Sequence, residues 1–120
     1  MTKKEMAISF LKLAGTGHIQ EAYKKFVATD FIHHNQYFQG SREALLTAME
    51  EAHQTSPNKS IEIKYCYEDD DTVITHSHVI KQDMDIAVVH IFKFKTNKII
   101  EAWDLGQPIL KDSPNEYGLF

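Results

Sequence analysis

The apolar residues of this chain change their period once. Up to about residue 55 they recur three and four positions apart, and from residue 60 onward they fall at every second position. The first spacing puts apolar side chains on one face of a helix, and the second puts them on one face of a strand. Helices first and strands afterwards, within 120 residues, is the layout of a single α+β domain spanning 1–120. Its helices gather on one face of a curved sheet.

Thr2-Lys3-Lys4-Glu5 reads as a capping box, and Met6, Ala7, Phe10, Leu11 and Ala14 continue a helix over about 3–14 until Gly15. Ile19, Ala22, Tyr23, Phe26 and Val27 give a second helix that Asp30 ends. Phe31 to Asn35 is too short for a helix and reads as a brief extended segment before an irregular stretch to Gly40. A third helix runs from Ser41, through Ala44, Leu45, Ala48, Met49 and Ala52, to Ser56-Pro57-Asn58. Four strands follow as a meander: 60–68, 72–81, 86–95 and 98 to about 107. Asp69-Asp70-Asp71 is the first hairpin turn, since it lacks the glycine and distal glutamate of a calcium loop. Pro108 to Phe120 reads as an irregular tail.

Charge and cysteine usage exclude several function classes. Thirteen Lys and Arg against 17 Asp and Glu give a net charge of -4, so the basic footprint of a nucleic-acid binder is absent. No apolar run reaches membrane-spanning length, no secretory apolar segment follows Met1, and a cytoplasmic location is expected. Cys66 is the only cysteine, which rules out an internal disulfide and a multi-cysteine zinc site; it reads as a small strand residue.

Seven histidines outnumber five glycines, and strand parity sorts them. His90 shares a face with Ile86, Val88, Phe92 and Phe94, where an imidazole must find a partner or line a cavity. His76 and His78 share a face and read as a surface or interface pair; as metal ligands they would need a third from His34, His90, Asp104 or Glu101. His18 and His53 lie at helix ends and read as capping or dipole partners. His33 receives no role. Asp104 falls on a face with Ile100 and Ala102, where a carboxylate is costly unless paired, and Trp103 takes the opposite face.

Together these segments carry a resemblance. Phe31-Ile32-His33-His34-Asn35 before Gly40-Ser41-Arg42-Glu43-Ala44-Leu45, then Ala87 to Phe94, then Lys98 to Pro108 with Glu101-Ala102-Trp103-Asp104, resemble the SnoaL-like branch of the NTF2-like superfamily. Asn115 to Phe120 resembles that branch's tail. The resemblance implies a cone of three N-terminal helices against a curved, mainly antiparallel sheet, with a deep pocket and a homodimer formed through the sheets' outer faces. It also implies polyketide cyclase chemistry, an intramolecular aldol closure without metal or cofactor that uses a pocket Asp or His as acid/base. His34 and Asn35 match the branch's His-Asn, and Trp103-Asp104 its Trp-Asp. Two positions depart from the pattern: Ala102 stands where the branch carries His, and His90 where it carries Asp. Either the acid/base role moved to His90, or the pocket no longer performs aldol chemistry.

The resulting expectation is a cofactor-independent cyclase or isomerase acting on a small carbonyl compound. His34, His90 and Asp104 are its candidate catalytic residues, with Asn35, Trp103, Phe92, Phe94, Tyr65 and Met49 around the substrate and no metal. The alternatives are a non-catalytic binder of an apolar metabolite and a metalloprotein built on His76 and His78. The enzyme reading requires at least two of His34, His90 and Asp104 to converge on one open cavity.

Overall fold

The computed structural model describes residues 1–120. Helix α1 (Lys3–Gly15) begins with the capping box: the Thr2 side chain accepts from the Glu5 amide, and Glu5 accepts from the Thr2 amide. Two of the amides left free at a helix start are thereby satisfied. The chain turns at Gly17, whose φ is +95°, into α2 (Ile19–Phe26). His18 occupies the N-cap of α2, yet its side chain makes no capping hydrogen bond, contrary to expectation. His53 sits in the last turn of α3 (Arg42–Thr55), with its ring against Gly17.

Helix α2 ends four residues before Asp30. From Val27 the backbone is extended and forms β1 (Val27–His34), because it can pair in parallel with β5 (Lys98–Pro108) along the sheet edge. The meander expected from sequence is present as β2 (Asn58–Asp69), β3 (Thr72–Lys81), β4 (Asp85–Lys95) and β5. With β1 the sheet has five strands in the order β1-β5-β4-β3-β2, antiparallel except at β1–β5. The β4–β5 hairpin turns through Thr96 and Asn97, both at positive φ (51° and 61°), as a two-residue loop that follows the strand twist requires. In the β2–β3 turn, the Asp70 carbonyl accepts from Lys3 Nζ and the Asp71 carbonyl from the Phe94 amide.

Two of the sheet's register shifts change which side chains face the site. Ile63 pairs with Ser77 but Tyr65 with His76, so Lys64 is an extra residue in β2. Lys93 pairs with Glu101 but Phe94 with Ile99, so Ile100 is extra in β5. Beyond each bulge the side chains change face. Cys66 therefore takes the inner face and Tyr65 the outer one, while Ile99, not Ile100, is fully buried alongside Ala102.

Helices α1 and α2 cover the inner face. Met6, Phe10, Leu11, Tyr23 and Phe26 pack on Val73, Phe92, Phe94, Ile99 and Ala102. Phe10 meets both Tyr23 and Phe92 at 5.8 Å between ring centroids, and each such ring contributes roughly 1.5–3 kcal/mol by leaving water. Helix α3 has no fully buried residue; Leu45, Leu46 and Met49 are only half-covered. The tail after Pro108 forms no helix or strand and crosses the outer face, where Phe120 stacks on His76 (4.9 Å) and His78 (5.3 Å). No helix is long and apolar enough to cross a membrane.

Candidate functional site

The half-covered face of α3 is explained by what lies beneath it. Between the inner sheet face and helices α1 and α3 is an open cavity of about 640 Å³, within the usual range for small-molecule sites. Phe10, Leu45, Met49, Ile61, Val88 and Phe92 form much of its wall. Tyr37, Leu105 and Gln107 are exposed members of the lining.

The polar groups gather on adjacent strands. His90 and Asp104 oppose each other directly across β4 and β5, with His90 Nε2 3.7 Å from Asp104 Oδ1. The other carboxylate oxygen, Oδ2, accepts from Asn35 Nδ2 at 3.0 Å. All three residues line the cavity. The His90 ring lies parallel to Phe92 at 5.5 Å, and its Nδ1 is buried without a partner. Burial pushes the His90 pKa below the ordinary value, and the nearby Asp104 charge opposes that shift only in part. At neutral pH His90 is therefore a neutral imidazole beside a carboxylate. Such a pair can take a proton from a bound molecule and offer an N–H to an oxygen.

Tyr23 reaches under this site from α2. Its hydroxyl donates to Met49 Sδ at 3.4 Å, and burial raises its pKa, with Arg42 opposing and Asp104 reinforcing. It is a protonated hydroxyl.

Of the residues proposed from sequence, His90, Asp104, Asn35, Phe92 and Met49 are brought together around the cavity. His34 borders the cavity, but its imidazole is turned away: Nε2 is 2.6 Å from Glu101 Oε2, and the ring lies flat on Trp103 at 4.6 Å. Trp103 itself is on the outer face, opposite in parity to Asp104, and is not part of the lining. Tyr65 is also absent from the lining, because the Lys64 bulge sends it outward against His76. Phe94 is buried in the helix–sheet core instead of facing the cavity. The inward histidine of β1 is His33, 5% exposed. Phe31 and His33 share the inner face and Ile32 and His34 the outer one; because Phe31 and Ile32 are both apolar, sequence parity alone did not choose between the two faces.

The metal reading needed His76 and His78 to face the pocket. They face the outer side, where His78 Nε2 is 2.8 Å from Asp85 Oδ2 and Phe120 covers both rings. No three His, Cys, Asp or Glu side chains cluster in a way that could hold a metal ion.

The model of the SnoaL-like polyketide cyclases matches residues 6–109. The chain belongs to that family. No curated protein matches it. Among solved structures, the SnoaL-like chain is similar to AclR of Streptomyces galilaeus, provisionally assigned as a hydroxylase (TM-score 0.75, 17% identity, 87% of each chain covered). It is also similar to IdmH of Streptomyces antibioticus, provisionally assigned as a polyketide cyclase (TM-score 0.72, 13% identity, 88% of this chain and 93% of that one). A protein of ketosteroid isomerase-like fold from Catenulispora acidiphila, solved with trimethylamine, matches with TM-score 0.69 and 16% identity over 87% of this chain and 86% of that one. At these identities the likeness shows the shared NTF2-like α+β fold.

Proposed function

We propose that this SnoaL-like protein is a cofactor-independent enzyme that removes a proton alpha to a carbonyl in a small molecule without negative charge, for an aldol-type closure or an isomerisation. Asp104 is the base. His90 donates from Nε2 toward the oxygen on which the enolate charge develops, and Asn35 holds the carboxylate in place. The apolar wall of Phe92, Met49, Leu45 and Val88 folds the substrate over the reacting carbon. One observation carries the reading: His90, Asp104 and Asn35 meet at one place in a cavity whose wall is mainly apolar. A positioned acid or base contributes roughly a hundred- to ten-thousandfold, enough for the already acidic proton of a 1,3-dicarbonyl.

The lining argues against an anionic substrate. No Lys or Arg lines the cavity, and Asp104 is its only carboxylate. An anionic substrate would be desolvated next to a like charge with no cation to receive it. A small-molecule occupant is further supported by the trimethylamine held by the Catenulispora protein. The same reading carries a homodimer through the outer sheet face, supported by exposed Tyr65, Tyr67 and Ile74; light scattering that finds only a 13.8 kDa species overturns that part.

The test of the chemistry is exchange of the C2 proton of benzoylacetone into D2O, followed by NMR. Exchange above the buffer rate that disappears in Asp104→Asn supports the assignment. Saturable binding without exchange overturns it and leaves a ligand carrier.

A further inference from the structure

The reaction just described makes no use of His33, yet no other histidine is tied so fully into the fold. Its ring is buried and lies nearly parallel to Phe31. Nδ1 accepts the backbone N–H of Asn35 at 3.1 Å, so Nδ1 carries no proton. Nε2 then holds the proton and donates it to the Gln39 carbonyl at 2.6 Å. The His33 amide donates to the Gly40 carbonyl at 3.1 Å, and Ile32 bridges to Ser41. One side chain and its own backbone thus close the loop between β1 and α3 from both ends.

This loop presents Asn35, Gln36 and Tyr37 to the cavity, and Asn35 is the one that reaches Asp104. The Asn35 side-chain oxygen accepts the Tyr37 amide at 3.0 Å, which fixes the carboxamide with Nδ2 directed at Asp104 Oδ2. The order of attachment runs from the His33 ring to the Asn35 backbone, from there to the Asn35 carboxamide, and so to the carboxylate. Without the ring, the Asn35 amide and the Gln39 carbonyl both lose their partner, and the exposed loop keeps only the His33–Gly40 backbone bond, the Ile32–Ser41 bridge and the Asn35–Tyr37 turn.

We propose that His33 is a positioning residue: its neutral ring closes the loop over residues 35–40 and, through Asn35, sets the Asp104 carboxylate. The inference rests on the reading of Asp104 as the working base only in its kinetic consequence; the structural part stands by itself.

The experiment compares the wild-type chain with His33→Ala, His33→Gln, Asn35→Ala and the double variant His33→Ala/Asn35→Ala. Long-range 1H–15N spectra of the ligand-free protein should find the His33 proton on Nε2. The Asn35 side-chain amide should be protected from exchange in the wild type and unprotected in His33→Ala. With benzoylacetone, His33→Ala and Asn35→Ala should each lower kcat roughly tenfold with little change in KM. The double variant should be no slower than Asn35→Ala, because the two residues act in series. His33→Gln should recover part of the rate, since its carboxamide still donates to the Gln39 carbonyl. A proton on Nδ1, an Asn35 amide equally protected in His33→Ala, or losses that multiply in the double variant would overturn the proposal. If His33→Ala does not fold, His33→Phe, which keeps a flat ring against Phe31 but neither ring hydrogen bond, supplies the same comparison. If the wild type exchanges no probe, the enzyme reading fails while the ring and amide spectra still decide the role of His33.

Discussion

Asp104 Oδ1 stands 3.7 Å from His90 Nε2, and the two residues face each other directly across β4 and β5. Opposed residues on neighbouring strands point to the same side of a sheet, so both groups enter the cavity together. The separation is slightly longer than a hydrogen bond, which leaves both polar atoms available to a bound molecule. Asn35 occupies the other carboxylate oxygen and so directs the free one toward His90.

If that relationship is catalytic, Asp104→Asn should lower benzoylacetone exchange by roughly a hundred- to ten-thousandfold without unfolding the chain, since Asn keeps the shape of the side chain. His90→Ala should lower kcat less, because it removes a donor and leaves the base. Initial rates beside a thermal melt of each variant check this; full activity in folded Asp104→Asn would sink the assignment.

Stability should fall in mild acid. Burial holds the folded-state pKa of His90 below its ordinary value of 6.5, so between those two values the unfolded chain binds a proton that the folded chain refuses. The contribution is complete above 6.5 and is lost as pH falls through the window below it. The Tm of the wild type should therefore drop below that pH, and His90→Gln, which cannot titrate, should show a shallower drop. Parallel melts of both proteins across the window test the sign.

Cavity walls and outer-face residues should separate cleanly. Leu45→Trp puts an indole into the space that Leu45 lines, and it should weaken benzoylacetone binding at least about tenfold, the scale of a lost buried apolar contact. Tyr65→Ala, on the exposed outer face, should leave benzoylacetone binding unchanged. Calorimetric titration of both variants measures the difference, and equal effects would contradict the placement of Tyr65.

Gly17 should resist substitution for two reasons that can be told apart. Its φ of +95° disfavours any side chain, and a Cβ there would run into the His53 ring. Gly17→Ala should cost about 2–3 kcal/mol in urea denaturation. Adding His53→Ala should recover the steric part and leave the backbone penalty of about 1–2 kcal/mol. No recovery would mean that the ring already moves aside freely.

Local chemistry along the chain is enough to specify the helices, the hairpins and the meander. The capping box at Thr2 and Glu5, the helical spacing from Ser41 and the period-2 runs after residue 60 each satisfy their own backbone within a few neighbours, so their types and most of their ends are written in sequence. The pairing of His90 with Asp104 does not follow from the same counting: the extra residue Ile100 lies between the hairpin turn and the pair, and without it His90 would oppose Trp103.

Tertiary structure decided the rest. Val27 to Asp30 continue a helical pattern, yet become strand because parallel pairing with β5 is available only once the sheet exists. The extra residues Lys64 and Ile100 carry no turn signal, and each reverses the faces beyond it, which moved Tyr65 out and Ile99 in. On β1, adjacent histidines offered the same chemistry to either face; packing Phe31 inward gave the interior to His33 and left His34 to Glu101 and Trp103. Sequence determines which residues alternate, because alternation is a local property of an extended chain. Which set faces inward depends on where a strand begins and where it bulges, and those are fixed by partners distant in sequence.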